Sequence, residues 1–98
     1  MRELETFIVF EGGSTRLLQL SGRDAWALDE LIKAGPNGCT PLDNPGPRWS
    51  AYVFKLKTKH GLSIETVTEQ HAGPFSGHHA RYVLHTRAVR VASQQEAA

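Results

Sequence analysis

The sequence predicts an α+β fold in which about three helices are framed by two β-hairpins. Three observations lead there. Residues 6–20 and 62–86 each hold a pair of β-prone runs divided by a glycine-containing turn. Between them lie two stretches, 22–34 and 48–60, whose apolar residues recur at helical spacing and which end at Gly35 and Gly61. The joining segment, 35–47, is dense in glycine and proline and has room for one short turn of helix. A chain of 98 residues makes one domain, burying roughly two-thirds of its unfolded surface.

The first hairpin is read from TFIVFEGGSTRLLQL, with strands near 6–11 and 15–20 turning at Gly12, Gly13 and Ser14. Ser21 then offers a helix cap before RDAWALDELIKAG, where Ala25, Leu28, Leu31 and Ile32 share one face and Gly35-Pro36 ends the helix. Trp26 falls off that arc, so it either packs beneath the hairpin or marks a contact surface. In the connector PNGCTPLDNPGP, Thr40 is a cap and Pro41 a first helical residue for a turn around Leu42, and Cys39 fits a short buried strand.

Pro45, Gly46 and Pro47 forbid a helix before Arg48, and the next dozen residues contain neither Gly nor Pro. At 100° per residue Trp49, Tyr52, Val53 and Leu56 form the core arc, leaving Ser50, Ala51, Phe54, Lys55, Lys57 and Thr58 outside. After this helix, LSIETVTEQ and ARYVLHT form a second hairpin around the loop QHAGPFSGHH, a ten-residue tip from Gln70 to His79. Beyond Arg87 the sequence turns polar and small. The expected organisation is therefore an N-terminal hairpin over 1–20, a helical and hairpin unit over 21–87, and a polar tail over 88–98.

Charge is segregated rather than scarce. The formal net charge is +1, yet residues 1–34 carry four bases against six acids, residues 35–62 four against one, and residues 63–98 three against three. A polyanion is drawn to the middle of the chain. The single cysteine, Cys39, excludes an internal disulfide and a multi-cysteine zinc site and fits a reducing, cytoplasmic setting. The opening MRELETFIVF lacks the apolar core and cleavage site of a signal peptide, and no apolar run approaches the roughly 18 residues of a membrane span.

Five histidines, His60, His71, His78, His79 and His85, do not fall at metal-ligand spacing, because neighbours on a strand point to opposite faces. Gly12 and Gly13 belong to a turn with no following GK[ST], so no phosphate loop is present. Cys39 with a distant histidine is a poor catalytic constellation. Neither an enzyme, a metal nor a cofactor is expected.

Helix, short connector, basic helix and a hairpin with a Gly-containing tip is the order of a winged helix-turn-helix domain. Residues 20–85 also resemble a group of small bacterial winged-helix proteins, often encoded in phage-like regions. The shared features are AGPNGCT at Ala34 to Thr40, Trp49 and Tyr52 in the basic helix, GLSIET at Gly61 to Thr66, and ARYVL at Ala80 to Leu84. The resemblance implies that fold and binding to double-stranded DNA, with the N-terminal hairpin as an addition.

Within that frame the basic helix is the third, and it is the expected reader of the major groove. Ser50 and Ala51 allow close approach, Lys55, Lys57 and Thr58 follow, and Arg48 and Lys59 suit phosphate contact at the margins. Phe54 either meets a thymine methyl or marks a protein interface. His78, His79 and Arg81 are the expected backbone contacts of the wing. A transcriptional or phage-type regulator is the first functional reading. The alternative is a protein-interaction module using Phe54, Trp26 or an open N-terminal strand, and a homodimer or another protein partner through the N-terminal hairpin is the corresponding partner.

Overall fold

In the computed structural model, residues 4–43, 48–72 and 77–91 are described. Strands β1 (Glu5–Glu11) and β2 (Ser14–Leu20) are followed by helix α1 (Gly22–Ala34), a 3-10 turn (Gly35–Asn37), helix α2 (Trp49–Thr58) and strands β3 (Ile64–His71), β4 (Gly77–Leu84) and β5 (Arg87–Arg90). The α+β class is as expected, but the middle helix of three is absent among the described residues. Gly35, Pro36 and Gly38 hold the start of the connector to one 3-10 turn, and the Thr40 hydroxyl accepts the Asp43 N–H at 2.9 Å, the capping bond expected of it, over residues 41–43 that form a turn. The turn 44–47 expected before α2 lies outside the described residues.

The N-terminal hairpin is not a separate appendage. It belongs to a three-stranded antiparallel sheet of order β2-β1-β5, closed by residues expected to begin the tail. Ala88 is buried, Val89 stands opposite Ile8, and Arg90 pairs with Glu5 and with Asp29 of α1, so residues 87–90 gain both core and ladder contacts. The expected boundary at residue 88 therefore falls inside a strand. Residues 92–98 of that tail lie outside the described residues.

The inner face of this sheet contributes Phe7, Val9, Leu18 and Leu20 to the core. Onto them packs α1 through Ala25, Leu28 and Leu31, and α2 adds Trp49, Val53 and Leu56. Ser21 occupies the expected N-cap position with extended backbone, but its side chain makes no capping hydrogen bond. Gly35 ends α1 at φ 57°, its N–H returning to the Leu31 carbonyl.

Strands β3 and β4 form a separate two-stranded sheet locked to the helices by the connector. Cys39 and Tyr82 exchange backbone hydrogen bonds of 2.9 and 2.8 Å, which makes Cys39 a one-residue third strand and buries it fully. Gly38 permits this approach. With φ at 70°, any Cβ there would stand 2.6 Å from the Tyr82 carbonyl oxygen.

An aromatic column completes the junction. Trp49 stacks on Tyr82 with ring centres 6.0 Å apart, and Trp26 meets Trp49 at 5.2 Å and Tyr52 edge-on at 6.5 Å. Trp26 thus packs against α2, its place off the apolar arc of α1 facing the second helix. Burial pushes the Cys39 thiol up to about 11, with Glu30 adding to the shift and Arg81 opposing it, so it is a packed apolar side chain at neutral pH.

Candidate nucleic-acid interface

Helix α2 shows the two faces its sequence predicts. Trp49, Val53 and Leu56 are buried and Tyr52 is half-buried, while Ser50, Phe54, Lys55, Lys57 and Thr58 are exposed and Ala51 is intermediate. Arg48 and Lys59 bracket the helix as its N-cap and C-cap residues and are also exposed. The cations are not equivalent. Lys55 Nζ lies 3.0 Å from Asp24 of α1, whereas Arg48, Lys57 and Lys59 have no ion pair among the described residues.

The hairpin of β3 and β4 reaches further than expected as regular strand. Pairing runs from Ile64↔Leu84 to His71↔Gly77, so His78 and His79 are strand residues and the ten-residue loop from Gln70 shrinks. Across the ladder, side-chain contacts extend it: Gln70 meets His78 at 3.4 Å and His71 meets His79 at 3.0 Å. Residues 73–76, the centre of the expected tip, lie outside the described residues.

Alternation along these strands sorts the side chains into two faces. Ile64 and Tyr82 are buried toward α2, which puts Thr66, Thr68, Gln70, His78 and Ala80 on the same side as the helix. No carboxylate belongs to that face. Glu65, Glu69, His79 and Arg81 all fall on the opposite one.

On that back face Arg81 is committed within the protein. Its Nε donates to Glu69 at 2.7 Å, Nη1 donates to the Asn37 carbonyl at 2.7 Å, and Asp43 lies 3.9 Å from Nη2. Glu69 also holds His79 Nε2 at 3.0 Å. The hydrogen bond from Arg81, followed by that from His79, holds the Glu69 carboxyl below the usual carboxylate range, and the Glu69 partnership raises Arg81 in turn. His79 and Arg81 therefore lie on the face of the hairpin away from α2, both held by Glu69 of β3, and Arg81 alone is also tied to the connector through Asn37 and Asp43. His78 alone of the three lies on the helix side.

Between the helix and the hairpin runs a groove of about 390 Å³ lined by Ser50, Val53, Phe54, Lys57, Thr58, Thr66 and Tyr82. Phe54 stands at its rim with 68% of its surface exposed. Thr66, Thr68 and Gln70 are the residues of this face that sequence reasoning passed over. The signal that could have found them was the parity of β3, since a buried Ile64 puts every even-numbered residue on its side.

The chain thus runs helix, connector, exposed second helix and an antiparallel hairpin folded against it. A family model described as a winged helix domain matches residues 17–95. The chain belongs to this family. No curated protein and no solved structure matches the chain. The hairpin of β3 and β4 is then the wing of the winged helix, and α2 is the exposed helix that precedes it. The match begins inside β2, leaving β1 outside it. Among the described residues, no group of three or more His, Cys, Asp or Glu could hold a metal ion, and no helix is long and apolar enough to cross a membrane.

Proposed function

We propose that this winged helix binds double-stranded DNA with α2 in the major groove and the front of the wing on the adjacent backbone, as a sequence-specific cytoplasmic regulator of the transcriptional or phage type. The observation that carries the reading is the sorting of charge. The face shared by α2 and the wing displays Lys57 and His78 and no carboxylate, while Glu65 and Glu69 are turned behind it. A protein that neutralises phosphates needs cations free of internal partners, and Arg48, Lys57 and Lys59 meet that requirement. Ser50 and Ala51, small and near the start of α2, allow the helix to approach a groove floor.

The test is a titration of labelled duplex across a salt series. Lys57→Ala and Lys59→Ala each weaken binding to all duplexes alike and lower the slope of log affinity against log salt by about 1. Wild-type binding that does not respond to salt, or variants whose slopes match wild type, removes α2 as the DNA-contacting element.

A second reading has its own observation. The outer face of the three-stranded sheet carries Ile8 opposite both Leu17 and Val89, with Phe10 beside them under Arg87, and Leu17 is 70% exposed. Such a row suits contact with a protein, a second copy included, and it uses a surface separate from α2. Sedimentation over a range of concentrations tests it: a single monomeric species throughout removes the homodimer.

A further inference from the structure

The outward face of α2 has few polar groups with which to read a base edge. Among Ser50, Ala51, Phe54, Lys55, Lys57 and Thr58 there is no Arg, Asn, Gln, Asp or Glu, the side chains that recognise guanine, adenine or cytosine most selectively in the major groove. Two of the remaining polar groups are already engaged. The Thr58 hydroxyl donates to the Phe54 carbonyl at 2.8 Å, and the Lys55 ammonium is held by Asp24. Ser50 and Lys57 are left as donors; of the two only the Lys57 ammonium can reach two acceptors of one guanine, and it does so as a flexible point charge without the rigid fork of an arginine.

Beside them the surface is apolar and concave. The exposed Phe54 stands on its wall with Val53, Thr66 and Tyr82, and Ser50, Lys57 and Thr58 complete the lining. Only one base presents an apolar group in the major groove, and it is the C5 methyl of thymine. Cytosine at the same place offers no methyl and an N4 amino donor, which the ring would leave without a partner. Protein partners are also drawn to exposed aromatics, but this one stands beside unpaired Lys57 on a face without carboxylates, which favours a polyanion.

We infer that Phe54 is the specificity-determining residue of α2 and selects duplex sites through thymine methyl groups packed against its ring and the groove behind it. The inference rests on the duplex binding proposed above. It assigns base preference to shape and apolar contact, and leaves to Lys57, Lys59 and Arg48 the sequence-independent attraction to phosphate.

The experiment separates the two layers. A randomised duplex pool is enriched on the wild-type protein and then copied with either thymidine or deoxyuridine triphosphate, so that the copies differ only in the C5 methyl. Wild type binds the uracil copy about fourfold more weakly for each methyl contacted, the factor that follows from about 0.8 kcal/mol per buried methyl-sized group. Phe54→Ala binds both copies alike, with its melting temperature near wild type because the ring is exposed. Phe54→Leu, which keeps an apolar side chain, retains part of the difference. Equal wild-type affinity for the two copies overturns methyl reading and leaves duplex binding standing. A thymine preference that survives in Phe54→Ala overturns the assignment to this residue. Failure to enrich any duplex overturns both proposals and turns the groove into a candidate protein contact.

Discussion

Lys55 and Lys57 look alike in sequence and differ in the fold. Both lie outside the apolar arc of α2, but Lys55 reaches Asp24 on α1 and Lys57 reaches no carboxylate among the described residues. Their substitutions should separate accordingly. Lys55→Glu places a second acid beside Asp24 and lowers unfolding free energy by about 0.5–1 kcal/mol, the range of an exposed pair, while the exchange Asp24→Lys with Lys55→Glu recovers most of it. Urea denaturation measures both, and a double exchange no more stable than Lys55→Glu alone removes the pair as the cause. Single-residue reading succeeded where periodicity governs: Trp49, Val53 and Leu56 are buried and Phe54 is exposed as their angles require. It did not foresee that Arg81 and His79 both pair with Glu69, ten or more positions away in sequence and adjacent only through the register of β3 and β4.

The connector and the wing illustrate what is readable at the level of elements. Both hairpins and both long helices follow from spacing and from their glycine ends. Among the described residues the connector holds turns in place of a middle helix, because glycine and proline cannot supply consecutive helical N–H donors and the Cys39 bridge to Tyr82 offers its backbone other partners. That bridge depends on Gly38. Gly38→Ala costs about 1–3 kcal/mol for the backbone conformation alone, and the clash with the Tyr82 carbonyl adds to it. A melting temperature unchanged by Gly38→Ala excludes this close approach. The back of the wing has a titration of its own. Because the Glu69 carboxyl titrates lower in the folded protein, its contribution is fully present above the unfolded value of about 4.3 and disappears as the pH falls through the lower folded value. Thermal unfolding followed from pH 6 downward should therefore show a shallower acid decline for Glu69→Gln than for wild type, and parallel curves refute the linkage.

At the scale of the whole molecule, β5 is the feature that sequence reading passed over. RAVR is too short to show alternation, and its polar neighbours suggest a tail, yet Ala88 enters the core and Arg90 joins β1 to α1 through Glu5 and Asp29. Truncation after Thr86 should lower the melting temperature by several degrees, since it removes a strand and a buried side chain from a small domain. A truncated protein melting with wild type denies β5 any structural part. The same topology has a temporal side. During synthesis β1 and β2 leave the ribosome together, but the free edge of β1 has no partner until Arg87 to Arg90 follow. At about 5–20 residues per second that interval is on the order of 4–15 s. Throughout it the nascent hairpin offers Phe7, Ile8, Val9 and Phe10 along an unpaired edge, the kind of segment that other chains can capture. Slowed translation between α2 and β5 would lengthen that exposure, making the yield of folded protein sensitive to codon choice in a stretch whose strands pair with neither β1 nor β2.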